Sequence, residues 1–315
     1  MTQYIIRRLL LLIPVMLIVG IVTFTLVHVT PGDPASVILG PDATSEEVAA
    51  LRTQMGFDRP FYIQFFDWFT DVLQGDLGRS HYLNMPVTEA LLGRAQPTIL
   101  LMLYSLTISI LIGVPAGIIS AIKQNSLLDR IVMMFAISGV AIPNFVLGIF
   151  LIMFFAVMLG WLPTGQYTAI TEDPVDHFRR MVMPAFSLGF SSAALLARLV
   201  RSSMLDVLKE DYVRTAFAKG VGFKTVITRH ALRNALIPVV TVIGYSVGTL
   251  LGGAVVTETV FALPGMGRLV VSSIARRDFP VIQGAVMIIA ASYVLANLAV
   301  DILYVYIDPR IRYGD

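Results

Sequence analysis

Six stretches of this chain are each long and apolar enough to cross a lipid bilayer, and nothing else in the sequence limits the fold as much. A spanning helix takes about 20 consecutive, mostly apolar residues. Runs of that kind fall at roughly 9–29, 98–122, 131–159, 181–200, 236–257 and 281–307. The fourth is the weakest, because Arg198 interrupts its end. The first follows Arg7 and Arg8, as the core of a signal peptide would. It is longer than such a core and has no clear small-residue cleavage site, so it reads as a retained span. The chain therefore reads as an all-α polytopic membrane protein with six transmembrane helices. Only 14% of its residues are charged, against about 25% in soluble domains. With no cysteine, disulfides and thiolate metal sites are excluded. His28, His81, His177 and His230 lie far apart without HExxH spacing, so no metal site is expected.

Six spans put both ends on one side. With the N-terminus in the cytoplasm, the inner segments hold 14 of the 23 lysines and arginines. Eight of these lie between Arg198 and Arg233. The positive-inside rule then favours both termini inside. On that topology residues 1–30 are the N-terminal span, and 31–97 form an extracytoplasmic helical segment. Residues 98–307 are a core membrane domain with a cytoplasmic loop at 205–235, and 308–315 are a cytoplasmic tail.

The outer segment carries helix signals. Thr44 and Glu47 fit a capping box, Gly56 can end that turn, and Pro60 can open a second helix. Phe61, Phe65, Phe69 and Leu73 repeat every four residues, with Gly75 closing the run. This aromatic face reads either as packing against the outer ends of the spans or as a docking surface for an outer partner.

The stretch AKGVGFKTVITRHALRNALIP, residues 218–238, is basic, holds no acidic residue and is hinged by glycine. Leu205, Leu208, Tyr212 and Ala216 suggest an amphipathic helix over 205–219, with Glu210 and Arg214 as an i, i+4 pair. Gly220 and Gly222 break it. A second short helix over about 224–234 puts Val226, Ile227 and Ala231 on one side, and Pro238 marks entry into the fifth span. Two short helices at a bend make a knob, which reads as a headgroup-touching loop or as a docking element for another protein. The chain has no GxxxxGK[ST] loop; GVGFKT at 220–225 lacks the spacing.

EDYVRTAFAKG followed by HALRNALIPVVT resembles the cytoplasmic EAA loop of ABC importer permeases, in the dipeptide, oligopeptide and glutathione branch, B-type subunit. VHVTPGDPA (27–35), QGDLGRS (74–80), TETVFALPGMGRL (257–269), RRDFPVIQG (276–284) and DPRIRY (308–313) agree with it, in order and from end to end. The resemblance implies a type I ABC importer fold. It also implies a non-catalytic permease of an ATP-driven importer of short peptides or related solutes, in the bacterial inner membrane. The implied partners are a homologous second permease forming a heterodimer, one or two ABC ATPase subunits, an extracytoplasmic solute-binding protein and the lipid bilayer, with no nucleic acid. ATP and Mg²⁺ would sit on the ATPases, and no cofactor in this chain. The loop would act as the coupling element, carried by Asp211, Tyr212, Arg214, Thr215, Ala216, Lys219, Gly220, Gly222, His230, Arg233 and Asn234. Where the wider family has Glu-Ala-Ala, this chain has Arg214-Thr215-Ala216, and Pro238 lies farther from the glycine than in the short form of the motif.

In the fifth span Gly244, Gly248 and Gly252 recur every four residues, a spacing that lets helices approach closely. Thr241, Tyr245, Ser246 and Thr249 add hydroxyls. This face reads as tight packing within the bundle or as a pathway and partner-permease interface, with Asn144 after Pro143 as a broken, polar spot in span three. Asp301, near the inner end of the last span, reads as half of an inward-facing structural pair or, alternatively, as a substrate site. GYSVG at 244–248 also matches the GxSxG elbow of serine hydrolases. That alternative, an intramembrane hydrolase around Ser246, lacks a strand–turn–helix and a histidine at the right depth. A passive channel is the third class.

Overall fold

The computed structural model describes the backbone of residues 2–29, 34–40, 43–54, 56 and 58–307. DPRIRY, the 308–315 tail and the side chains of Arg7, Arg8 and Asp301 lie outside the described residues. In chain order, α1 (Thr2–Val29), α2 (Pro34–Leu39), α3 (Ser45–Gln54) and α4 (Phe61–Leu73) precede α5 (Val87–Ile122). Next come α6 (Leu127–Ala141), α7 (Asn144–Leu151), which runs on in π-helical turns over Ile152–Met158, and α8 (Pro174–Leu208). The short α9 (Asp211–Ala218) and α10 (Phe223–Thr225) lead through π-helical turns at Val226–Ala231 into α11 (Leu232–Val260). Finally come α12 (Met266–Arg276) and α13 (Phe279–Ile307). Among the described residues the only β-pairing is an isolated bridge between Arg79 and Pro86.

Among the described residues five helices are long and apolar enough to span a membrane, and α6 with the helix after it makes a sixth if that bent pair counts as one span. The third predicted span is thus not one rod. It bends by 106° between Ala141 and Asn144. Pro143 disfavours helical backbone at the residue before it, and Ile142 is accordingly extended (φ −85°, ψ 120°).

The chain divides into two compact units, residues 1–96 with 265–294 and residues 97–264 with 295–315. In the first, the capping box forms as expected. The Thr44 N–H and hydroxyl each donate to the Glu47 carboxylate at 2.9 Å, and the Glu47 N–H returns to Thr44 Oγ1 at 3.3 Å. Those bonds hold the Glu47 carboxyl below its usual range, the Thr44 N–H contributing most. The aromatic run on α4 packs against α1. Phe65 and Trp68 lie 5.6 and 5.4 Å, centroid to centroid, from Phe24, and Gln64 meets His28 at 3.0 Å. Two motifs distant in sequence also meet here. The buried Asp278 carboxylate of RRDFPVIQG accepts the Ser80 hydroxyl of QGDLGRS and the N–H groups of His81 and Tyr82.

In the second unit α8 is the central helix. Its N-terminus is closed by Asp173, which accepts from the N–H of Val175 and Asp176, with Pro174 at the first helical position. Rather than ending near residue 200, it runs on to Leu208 with Arg198 exposed. More than half of its most apolar window is buried, against a third or less for the other four spanning helices. Low hydropathy in this segment therefore reflects a helix surrounded by protein rather than lipid. Where α5 meets it, a Cβ at Gly113 or Gly117 would lie 2.6 Å from the carbonyl oxygens of Ala193 and Ala197. Only glycine permits that approach.

Candidate coupling loop and pathway helix

The loop grows from a break at Lys209–Glu210. Lys209 caps α8, and Glu210 (φ −66°, ψ 145°) precedes α9. The amphipathic helix expected over 205–219 is therefore two helices, and the break resets the phase of the apolar stripe. Val213 and Ala216 are buried, while Tyr212 is 41% exposed. The expected Glu210–Arg214 pair is replaced by Arg214 with Asp211 at 3.7 Å, because Glu210 stands outside the helix. Both partners are largely exposed, so the pair contributes next to nothing.

The far end of α9 closes on Gly220. Its N–H donates to the Phe217 carbonyl at 3.0 Å, and the Val221 N–H reaches back to the Ala216 carbonyl at 3.2 Å. That is a Schellman closure, which needs a left-handed residue at the turn, and Gly220 supplies φ +77°. Val221 then packs on a small core of Val213, Ala216 and Val226. Gly222 opens the next helix by accepting the N–H groups of Thr225 and Val226.

The second helix expected at 224–234 is not separate. It begins at Phe223 and continues to Val260 without interruption, so Pro238 lies inside the helix and does not mark its start. Val226, Ile227 and Ala231 are buried, as their spacing suggests. Ile227, Ala231 and Ala235 join a core with Leu196, Val200 and Met204 of α8. Across the bend, Asn234 Nδ2 donates to the Tyr212 hydroxyl at 2.7 Å, and that hydroxyl points at the His230 carbonyl at 3.4 Å. Three of the loop residues singled out from sequence are thus brought together. Asp211, Arg214, Thr215, Lys219, Gly220, Gly222 and Arg233 stay exposed, and Ala216 faces inward.

Two residues were missed. Phe217 and Phe223 flank the glycine bend, 43% and 57% exposed, with ring centroids 6.3 Å apart. The signal was available, because aromatics on both sides of a polar bend have no local reason to be there.

On α11, Thr241, Tyr245, Thr249 and Gly252 lie on an exposed face, while Gly244 and Ser246 are buried and Gly248 is half-buried. A Cβ at Gly252 would meet nothing within 4 Å, whereas one at Gly253 would strike Leu188 Cδ1 at 2.7 Å. Asn144 is half-buried, and its carbonyl accepts the Ser187 hydroxyl of α8 at 2.8 Å. The Ser246 hydroxyl donates to the Val242 carbonyl at 2.7 Å inside a continuous helix. His177 is buried between the Thr168 carbonyl (2.8 Å) and the Tyr104 hydroxyl (3.1 Å). The site thus has neither the strand–turn–helix of an elbow nor a serine free to act.

Residues 113–313 match the family described as "Binding-protein-dependent transport system inner membrane component", and residues 1–88 match its N-terminal component. The chain belongs to this family. It is an ABC importer permease with a helical, membrane-embedded fold. The permease is 45% identical over 313 residues, 99% of its length and 100% of theirs, to the glutathione transport system permease protein GsiC of Shigella flexneri and of Salmonella typhimurium. It is equally similar to a probable peptide ABC transporter permease, y4tP, of Sinorhizobium fredii. Its fold is similar to that of two inward-facing crystal forms of the MetNI methionine ABC transporter. Their TM-scores are 0.56 and 0.54, at 18% and 17% identity, covering 70% and 69% of this chain and 96% of each matched chain.

The permease also has a polar clamp that the sequence did not reveal. Arg201 of α8 grips Asp129 of α6 with two bonds, 2.7 and 2.8 Å, and the Ser120 hydroxyl of α5 and the Asn125 N–H complete the carboxylate's shell. Asp129 is 3% exposed. Three helices are tied together shortly before the coupling loop begins.

Proposed function

We propose that this permease forms half of the translocation pathway of an importer of short peptides, glutathione among them, and that α9, the Gly220 turn and α10 form the knob that an ATPase subunit grips. The observation that carries the reading is the closed bend. Its inner side is a sealed apolar core, and its outer side presents Phe217, Phe223, Lys219 and Gly220. A bend packed against α8 and continuous with α11 moves those helices as a body when its partner moves. Asp211, Arg214, Thr215, Gly222 and Arg233 border the exposed side, while Tyr212, His230 and Asn234 brace the bend and Ala216 seals it.

The exposed face of α11, with Thr241, Tyr245, Thr249 and Gly252, is the lining or the seam with a homologous second permease, and Gly244, Ser246, Gly248 and Asn144 support it from behind. Similarity to glutathione and peptide permeases supports the cargo. ATP and Mg²⁺ belong to one or two ATPase partners, and cargo is delivered by an extracytoplasmic solute-binding protein. Both termini and the 205–235 loop face the cytoplasm of a bacterial inner membrane. Residues 31–97 are outside, 98–307 form the core and 308–315 the tail. The test is uptake of labelled glutathione and dipeptides by the assembled complex in proteoliposomes. Uptake driven only by ATP on the ATPase side is expected; flux without nucleotide would make the chain a passive channel.

A further inference from the structure

Both α5 and α6 lean on α8, and between them they leave a groove. The approach is set by glycines. A Cβ at Gly113 would lie 2.8 Å from the Leu196 Cβ, and one at Gly139 would lie 2.7 Å from that of Ala194. The floor is alanine, with Ala193, Ala194 and Ala197 of α8. Ile112 and Ala116 form one wall, and Val132 and Phe135 the other. The stacked pair Phe186 and Phe190 borders it towards the N-terminal end of α8. The void is about 230 Å³ and its lining is almost wholly apolar. Several waters would fit by volume, but such a lining offers none of them hydrogen-bond partners.

All three helices belong to membrane spans, so hydrocarbon is the medium the groove meets. Its other end is different. Continuing Ile112 and Ala116 along the helix leads to Lys123, whose N–H still closes a helical turn on Ile119. Continuing Ala194 and Ala197 leads to Arg201, which is held by Asp129 yet is still a quarter exposed. Arg198, one residue beyond Ala197, is exposed. Asp129 here is buried and paired with Arg201, while Lys123 and Arg198 are exposed cations. An apolar channel that ends in cations is complementary to one kind of molecule present at that depth. Basic pockets between spanning helices on the cytoplasmic side are where anionic headgroups bind.

We infer that the groove between α5, α6 and α8 binds an anionic phospholipid of the inner leaflet, with one acyl chain along the alanine floor and its phosphate against Lys123 and Arg198. The inference rests on the proposed topology, which puts Lys123 inside. The assembled complex is placed in nanodiscs of equal phosphatidylglycerol and phosphatidylcholine, extracted, and its retained lipids are counted by native mass spectrometry. The wild type should retain phosphatidylglycerol at least fivefold over phosphatidylcholine. Lys123→Glu should bring that ratio close to one, and Ala116→Phe should empty the groove. Because Ala116→Phe can fail to fold, a Phe135→Trp reporter in otherwise native protein gives a second reading. Its fluorescence should be quenched by phosphatidylglycerol brominated on the acyl chain and spared by phosphatidylcholine brominated in the same way. Equal retention of the two lipids by wild type, no retention, or an unquenched reporter would overturn the site. A photo-crosslink from position 135 to the second permease would replace the lipid with protein. Labelling of a cysteine at position 123 from the outer side would instead refute the topology.

Discussion

Gly220 gives the sharpest prediction, because its environment separates backbone conformation from side-chain bulk. A Cβ there would meet nothing within 4 Å, so size alone carries no cost. The cost comes from φ +77°, which an L-residue adopts at about 1–2 kcal/mol. Gly220→Ala should therefore lower the population of the closed turn by a factor of about 5–30. Gly220→Asn should be milder, since asparagine tolerates the left-handed region. Gly220→Pro should be worst. Proline fixes φ near −65°, about 140° away, and removes the N–H that closes on the Phe217 carbonyl. The assay is uptake per ATP hydrolysed in proteoliposomes, compared at equal amounts of assembled complex. The ratio should fall in the order Gly, Asn, Ala, Pro. An order that follows side-chain volume, or an assembled Gly220→Pro complex that couples like wild type, would refute the reasoning.

Three other outcomes follow from the same structure. Arg201→Met leaves Asp129 buried without its cation, a loss of about 3–5 kcal/mol that should appear as a large drop in the melting temperature of the complex; adding Asp129→Leu should restore most of it. Ser246→Ala removes a hydroxyl bonded only within its own helix and should cost about 1 kcal/mol or less, with uptake retained; loss of uptake without loss of assembly would give Ser246 a direct role. A cysteine at Ser45 should be labelled by an impermeant reagent from the outer side only, and labelling from the cytoplasm would invert the topology.

What could be read from the sequence was mostly local. The existence of the apolar runs, the Thr44–Glu47 box and the turns at Gly56, Gly75 and Gly220 depend on neighbours within a few residues, and the structure has them where the sequence places them; the lengths of the spans, set by packing against other helices, it changes. The break at Lys209–Glu210 has no glycine or proline to mark it, so periodicity runs the apolar stripe straight through Tyr212, which the structure leaves exposed. Spacing alone also could not say which glycines meet another helix. Gly252 belongs to the regular repeat, yet a Cβ there would meet nothing within 4 Å, whereas one at Gly113 or Gly117 would lie 2.6 Å from a carbonyl oxygen of α8. The Asp129–Arg201 clamp joins residues 72 positions apart, and no local pattern announces such a pair. Phe217 and Phe223 differ from these, since their place beside the bend was visible and only their exposure was not.

On the proposed function, an ATPase subunit holds the bend at Gly220. A photo-crosslinking residue placed at the exposed Lys219 tests it most directly. Illuminated in the assembled complex, it should capture an ATPase subunit, with a yield that changes when ATP is added. Crosslinks to lipid alone, or to the solute-binding protein, would contradict the account.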